Sequence, residues 1–179
     1  MKNKFITKDI VFLAILSAVL LLISSLIMPL VMFTNIYALR QLFSATIFAL
    51  FSIIGLKKVP KLGALTIMGI FTGGVLLFLS PIMFFNQVLA ALITEILIYI
   101  IFKSYESDRS KKFAATIYVP LTLPITLVVT AIMRDISIRG QIENIFFTVI
   151  LIMGTLLLSY LGARLGQKIG DELKEAGKL

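Results

Sequence analysis

The sequence predicts an all-α integral membrane protein with six transmembrane helices and both termini in the cytoplasm. Hydrophobic residues make up 59% of the 179 residues, and the mean hydropathy is +1.05. A soluble domain has an apolar share of roughly 45–50%. Six apolar segments are long enough, or nearly so, to cross a bilayer core of about 30 Å. Lysine and arginine are concentrated in alternate loops between these segments, and this asymmetry predicts the orientation.

The predicted spans form a single transmembrane domain that covers residues 1–179. They occupy residues 9–32, 36–56, 62–79, 82–102, 113–133 and 142–165, and a cytoplasmic tail follows at 166–179. The first span is predicted to be an uncleaved helix, because its apolar run is too long for a signal peptide. Pro120 and Pro124 lie inside the fifth span and predict a kink there. The hydrophilic stretch 103–112 separates the first four spans from the last two.

The cationic residues fall mostly on one side of this topology. Fourteen of the seventeen are Lys2, Lys4, Lys8, Lys57, Lys58, Lys61, Lys103, Arg109, Lys111, Lys112, Arg164, Lys168, Lys174 and Lys178. Only Arg40, Arg134 and Arg139 lie toward the other side. Because cytoplasmic loops carry the excess of basic residues, the first side is predicted to be cytoplasmic. A net charge of +8 arranged in this way suits anionic lipid better than nucleic acid.

The residues that most enzymes need are missing or misplaced. The chain has no cysteine and no histidine, so the commonest metal ligands and the commonest general base are absent. The segment from Gly162 to Lys168 has the wrong spacing for a phosphate-binding loop. Glu95 is the one acid clearly within a predicted span. We interpret it as paired with a neighbouring helix or a basic residue, in preference to a proton or ion relay. We therefore expect no enzymatic activity, cofactor or metal.

Polar side chains cluster at the three predicted outer turns, and they are the candidate substrate-binding residues. They are Asn35, Tyr37, Arg40, Gln41, Asn86, Gln87, Arg134, Asp135, Arg139 and Asn144. Three arginines on the cation-poor side indicate an anionic ligand, because a guanidinium binds carboxylate or phosphate through two parallel hydrogen bonds. The alternative is that these are ordinary polar turns, with Arg134 and Asp135 forming a surface pair of little energetic value.

Small residues recur at four-residue spacing on two of the spans. Ala14 and Ala18 form an AxxxA motif on the first span, and Gly162, Gly166 and Gly170 continue the same spacing on the sixth. Such a stripe makes a groove that lets another helix approach closely. The pattern does not distinguish an internal packing contact from a surface that docks a partner.

The chain resembles the S components of energy-coupling factor (ECF) transporters, and more closely the MptD-like, or Trep-Strep, group. The resemblance covers the whole chain. It rests on six helices with an AxxxA motif on the first and no ATPase motif, and on four short stretches. These are Lys8–Asp9, the segment 58–69 (KVPKLGALTIMG), Met133-Arg-Asp135, and the segment 161–168 (LGARLGQK) running on to Glu175-Ala-Gly177.

This resemblance implies a function and a set of partners. An S component captures a micronutrient at the outer face of a prokaryotic cell membrane and associates with a transmembrane T component and two ABC ATPases. The T component would dock on Ala14 and Ala18, and the cargo would lie between the outer turns. We expect an anionic small organic molecule, with a heme-like cargo as a special case. Soft or phenolate neighbours for heme would be Met28, Met32, Met83, Met133 and Tyr37. The alternative is a stand-alone secondary transporter or channel.

Overall fold

The computed structural model describes residues 4–32, 37–142 and 145–177, and the side chains of residues 27–32, 37–41 and 140 lie outside that description. Over the described ranges the chain is built from helices, with no strand. The helices are α1 (Thr7–Met32), α2 (Tyr37–Lys58), α3 (Ala64–Leu76), α4 (Pro81–Ile101), α5 (Asp108–Arg134), α6 (Ile138–Gln141) and α7 (Ile145–Glu175).

Four of these helices, α1, α4, α5 and α7, are long and apolar enough to cross a membrane. They indicate an all-α, multi-pass membrane protein. Helix α3 has 13 residues and is shorter than a full span, and α2 has 22 residues and ends in Lys57 and Lys58. The described residues therefore give four candidate spans, and the arrangement of six spans with cytoplasmic termini stays a prediction.

Several helix ends differ from the predicted segments for local reasons. Helix α5 begins inside the hydrophilic stretch 103–112, because Ser107 caps it and its hydroxyl oxygen accepts a hydrogen bond from the Ser110 N–H at 3.1 Å. Helix α3 ends at Leu76, a few residues before Pro81, which opens α4 at its first turn. Helix α7 continues to Glu175 and includes most of the predicted tail.

Helix α2 lies at the centre of the bundle and packs against α1, α3, α5 and α7. Helix α4 packs on α3 and α5, and α1 packs on α2 and α3. Buried apolar side chains from five helices meet between them: Leu13, Leu20, Phe48, Leu56, Leu65, Ile98, Tyr118 and Val119 are among them. Alanines replace larger residues where α2 meets α5 and α7, at Ala49, Ala115 and Ala163.

The glycine stripe of α7 brings this helix into direct backbone contact with α2. A Cβ added at Gly162 would lie 2.2 Å from the Thr46 carbonyl oxygen, and one at Gly166 would lie 2.5 Å from the Leu50 carbonyl oxygen. Both distances are far below a normal contact, so only glycine fits. The stripe at Gly162, Gly166 and Gly170 is therefore an internal packing surface.

A partly buried carboxylate joins α4 to the start of α3. The Glu95 Oε1 atom accepts hydrogen bonds from the backbone N–H groups of Gly63 and Leu65, both at 2.9 Å, and of Thr66 at 3.2 Å. Its Oε2 atom accepts one from the Thr66 hydroxyl at 2.6 Å. Gly63 has a φ of 100°, a left-handed conformation that lets its N–H point at the carboxylate. Glu95 thus caps α3, where a negative charge complements the helix dipole.

Two ion pairs connect helix ends on one side of the bundle. Lys61, in the loop after α2, pairs with Asp9 at the start of α1 at 2.5 Å, and Lys57 near the end of α2 pairs with Asp171 near the end of α7. These ion pairs place the start of α1, the end of α2 and the end of α7 together. We call this side of the bundle the basic end, and the other side the opposite end.

Substitution of Gly162 by Ala should destabilise the bundle by about 1–3 kcal/mol, the usual cost of overpacking a tight contact. The physical reason is the clash between the new methyl group and the Thr46 carbonyl. The measurement is the midpoint of thermal unfolding in detergent at a fixed scan rate. Gly74→Ala is the matched control, since a Cβ there meets nothing within 4 Å. Equal midpoints for the two variants would contradict the packing account.

Glu95→Ala should cost on the order of 3 kcal/mol, because the three backbone N–H groups at the start of α3 lose their acceptor. Glu95→Gln keeps an acceptor oxygen and should cost only about 1 kcal/mol through the lost charge. Thermal unfolding of both variants checks the difference. If Glu95→Ala unfolded at the same temperature as wild type, the capping role would be contradicted.

Candidate ligand cavity

A cavity of about 490 Å³ lies between α1, α2, α3, α4 and α5 at the opposite end of the bundle. It is lined by the later parts of α1, α3 and α5 and by the earlier parts of α2 and α4, as expected where neighbouring helices run antiparallel. Its volume is within the range of about 300–1,000 Å³ that small-molecule sites occupy. The fold therefore offers a space large enough for a metabolite.

Among the described residues, the cavity walls combine apolar surface with hydrogen-bonding groups and a single cation. The apolar part includes Leu21, Phe43, Ile47, Phe48, Leu76, Ile82, Met83 and Val119. The polar part consists of Ser24, Ser25, Ser44, Ser80, Asn86, Gln87, Thr122, Thr126, Thr130 and Arg134. Among the described residues no carboxylate lines the cavity. The electrostatic character of the described lining is therefore neutral to positive.

One face of α5 carries most of the polar character. Thr122, Thr126, Thr130 and Arg134 follow one another at four-residue spacing, which places them on one side of the helix. The Thr122 hydroxyl donates to the Val119 carbonyl at 2.6 Å, and the Thr126 hydroxyl donates to the Thr122 carbonyl at 2.7 Å. With its proton committed to the backbone, the Thr126 oxygen presents lone pairs to the cavity.

A hydrogen bond between side chains of α4 and α5 lies at the cavity wall. The hydroxyl of Tyr118, which is only 2% exposed, donates to the Gln87 Oε1 atom at 2.6 Å. This bond fixes the Gln87 amide and leaves its nitrogen as the group available to a ligand. The Tyr118 ring lies 6.5 Å from the Phe48 ring, which also lines the cavity.

Two lining atoms are buried without a hydrogen-bond partner among the described residues. They are the Oδ1 atom of Asn86 and the Oγ atom of Ser24. A buried polar atom without a partner costs about 1–3 kcal/mol. A bound ligand or an ordered water in the cavity could form hydrogen bonds with both atoms. The cavity therefore favours an occupant that carries hydrogen-bonding groups.

The candidate binding residues divide into three groups. Asn86, Gln87 and Arg134 line the cavity. Asp135 and Arg139 are exposed and do not line it; Asp135 ends α5 with a φ of 52°. Helix α2 begins at the opposite end with Tyr37, Arg40 and Gln41, whose side chains lie outside the described part, as do Asn35 and Asn144 altogether.

Sequence reasoning missed the hydroxyl groups, which make up most of the polar lining. No binding role was predicted for the threonines of the fifth span or for the serines. The four-residue spacing that ends on Arg134 was the signal that could have found the α5 face. Of the methionines considered for a heme-like cargo, Met83 lines the cavity and Met133 is exposed outside it. Met28 and Met32 have side chains outside the described part.

The AxxxA motif lies away from the core. The inner face of α1 carries Leu13, Ser17 and Leu20, which are buried, while Ala14 is half-buried and Ala18 is exposed. Within the described residues α1 packs only on α2 and α3. The side of α1 that carries Ala18 is therefore free for lipid or for a partner helix.

Comparison with protein-family models, with curated proteins and with solved structures found no match.

Single cysteines should report the cavity directly, because the chain has none of its own. Thr130→Cys should react with a membrane-impermeant maleimide added outside intact cells, since residue 130 lines the cavity. Val128→Cys is the matched control: Val128 is on the same helix, does not line the cavity and is 47% exposed on the outside of the bundle. It should stay unlabelled in lipid.

Lys58→Cys, at the basic end, should react only after the membrane is permeabilised. Labelling of Lys58→Cys in intact cells, with Thr130→Cys protected, would reverse the predicted orientation. If Thr130→Cys stayed as unreactive as Val128→Cys, both in intact and in permeabilised cells, water would not reach the cavity.

Proposed function

We propose that this protein is the substrate-binding subunit of an ECF-type ABC importer in a prokaryotic cell membrane. In this role it takes up a micronutrient, an anionic small organic molecule, at the outer face. A T component and two ABC ATPases supply the energy for uptake. The six spans and the cytoplasmic termini predicted from the sequence are part of this proposal.

The observation that carries the proposal is the cavity at the opposite end of the bundle. Its described lining pairs an extensive apolar wall with one guanidinium, several hydroxyls and two amides. A ligand with an apolar body and one carboxylate or phosphate suits such a lining, because Arg134 supplies the charge and the hydroxyls supply orientation. A heme-like cargo is a special case of the same chemistry, with Met83 as the soft neighbour.

The need for partners is supported by the surface of α1 and by the chemistry of the chain. Ala18 lies on the side of α1 that the described bundle leaves exposed, and Ala14, one turn earlier, is half-buried. Small residues at this spacing favour close approach of another helix. The sequence carries no phosphate-binding loop, so a nucleotide-driven step depends on other chains.

A stand-alone secondary transporter or channel is the second candidate function. The cavity by itself is compatible with it, since such proteins also bind cargo between helices. The two functions differ in what happens without ATPases: the importer subunit binds cargo but moves none, whereas the stand-alone protein transports.

A cavity-filling substitution should remove the cargo. Thr126→Phe places a ring in the cavity, whereas Val128→Phe adds the same ring to the lipid side of α5. Small molecules released on denaturation of the purified protein, identified by mass spectrometry, should be present for wild type and Val128→Phe. They should fall at least tenfold for Thr126→Phe, since a blocked site loses more than 1.4 kcal/mol of binding. Identical release from all three proteins would contradict the assignment of this cavity as the cargo-binding site.

Docking should depend on the AxxxA surface. When the chain is expressed with a T component and its ATPases, a tag on this chain should pull down the complex. Ala14→Trp with Ala18→Trp should abolish it, because large side chains prevent close helix approach. Leu157→Trp, at a residue 60% exposed on α7, is the control and should leave the complex intact. A complex that survives the alanine replacements, or that never forms, would favour the stand-alone transporter.

A further inference from the structure

A second pocket lies at the basic end, far from the ligand cavity. It has a volume of about 280 Å³ and is formed where α2 ends, α5 begins and α7 approaches its end. Its lining consists of Lys57, Lys58, Asp108, Lys111, Gly170, Asp171 and Lys174. Four lysines against two aspartates leave the pocket with two positive charges in excess. Nothing in the proposed importer function uses this site.

Two of the lysines are nearly buried and are held by the aspartates. The Lys57 side chain is 7% exposed and pairs with Asp171, and the Lys111 side chain is 10% exposed and pairs with Asp108 at 3.1 Å. Lys57 also donates to the Gln167 carbonyl at 2.9 Å. These contacts fix the inner wall of the pocket and account for both negative charges.

The excess charge resides on the other two lysines. Lys58 and Lys174 are exposed, and no described carboxylate lies within ion-pair distance of either. They come from different helices, α2 and α7, yet line the same pocket. Two cations that converge on one space without a counter-charge attract an anion with several acceptor oxygens, such as a phosphate group.

Glycine gives the pocket its depth. Gly170 is buried, and a Cβ added there would lie 2.6 Å from the Lys57 Cδ atom. The absent side chain lets the Lys57 stem lie flat against α7 beneath the pocket.

The surface beside the pocket favours a lipid over a soluble anion. Leu161, Leu165 and Ile169 follow one another at four-residue spacing on α7 and are all exposed. This stripe runs along a candidate membrane-spanning helix and ends at Ile169, one residue before Gly170, which lines the pocket. An acyl chain lying on the stripe would deliver its headgroup to the lysines.

We propose that this pocket binds the phosphate headgroup of an anionic phospholipid, with Lys58 and Lys174 as its cationic ligands and the Leu161–Leu165–Ile169 stripe as the seat of an acyl chain. A basic pocket between helices at the membrane surface is a recurrent way to hold such lipids. The bound lipid would offset one of the two excess positive charges and join the ends of α2 and α7.

The test compares the full-length protein in nanodiscs of phosphatidylcholine alone and with phosphatidylglycerol added. Native mass spectrometry should show phosphatidylglycerol retained by wild type. The double variant Lys58→Gln with Lys174→Gln should bind it about thirtyfold more weakly, since each lysine near the surface contributes about fivefold. Lys103→Gln with Lys168→Gln removes two exposed lysines that do not line the pocket, and it should behave as wild type.

Three results would overturn the proposal. Equal retention by wild type and the pocket variant would remove the site. Equal loss from both double variants would reduce it to non-specific surface charge. If millimolar inorganic phosphate displaced the lipid from the wild type and raised its unfolding temperature as much as the lipid does, the pocket would be a site for a soluble anion. Both lysines of the pocket variant are exposed, so it should fold; its unfolding midpoint in phosphatidylcholine checks this.

Discussion

The close approach of α2 and α7 is the constraint on which the rest of the structure depends. Gly162 and Gly166 allow the α7 backbone to rest on the Thr46 and Leu50 carbonyls of α2. In the absence of a hydrophobic driving force between helices in lipid, dispersion contacts of this kind supply the attraction. The approach fixes α2 at the centre of the bundle with one face committed to α7.

The opposite faces of α2 serve two different purposes because of that contact. Ala49 and Ile53 pack with Ala163 on the α7 side, while Phe43, Ser44 and Ile47 face the ligand cavity. At the end of the same seam, Gly170 accommodates the Lys57 stem and leaves room for the basic pocket. Both pockets therefore follow from how α2 is held, one at each end of the bundle.

Helix α3 begins inside the apolar bundle, where its first backbone N–H groups need hydrogen-bond acceptors. It is too short to span a bilayer unaided, and its first turn is buried against α4. Glu95 satisfies that turn with four hydrogen bonds, which removes the penalty of bare N–H groups in an apolar medium. The nearby Tyr105 is fully buried, and burial together with the Glu95 charge raises the pKa of its phenol above the ordinary value.

Hydropathy and charge predicted the all-helical membrane class and the approximate position of each long helix, because apolar runs and basic loops are local properties of the chain. The glycine stripe was recognisable as a groove that another helix could approach, but neither its internal position nor its partner α2 could be predicted. The hydrogen-bond donors that Glu95 accepts from could not be predicted either, because every residue except proline carries a backbone N–H group. Polar residues in turns drew attention to Asn86, Gln87 and Arg134, but Asp135 and Arg139 share that pattern and do not line the cavity. The serines and threonines of the lining were missed because a hydroxyl in an apolar helix usually bonds its own backbone.

If this chain binds a cargo but moves it only with partners, uptake into vesicles requires the complete complex and ATP. Proteoliposomes holding the chain alone, and others holding it with a T component and ATPases loaded with ATP inside, would be incubated with a small-molecule extract of cells. Mass spectrometry of the washed lumen would then compare the two. For a substrate-binding subunit of an importer, we expect a compound that accumulates only in the vesicles with the complete complex and ATP. Accumulation of the same compound by the chain alone would contradict it and identify a stand-alone transporter.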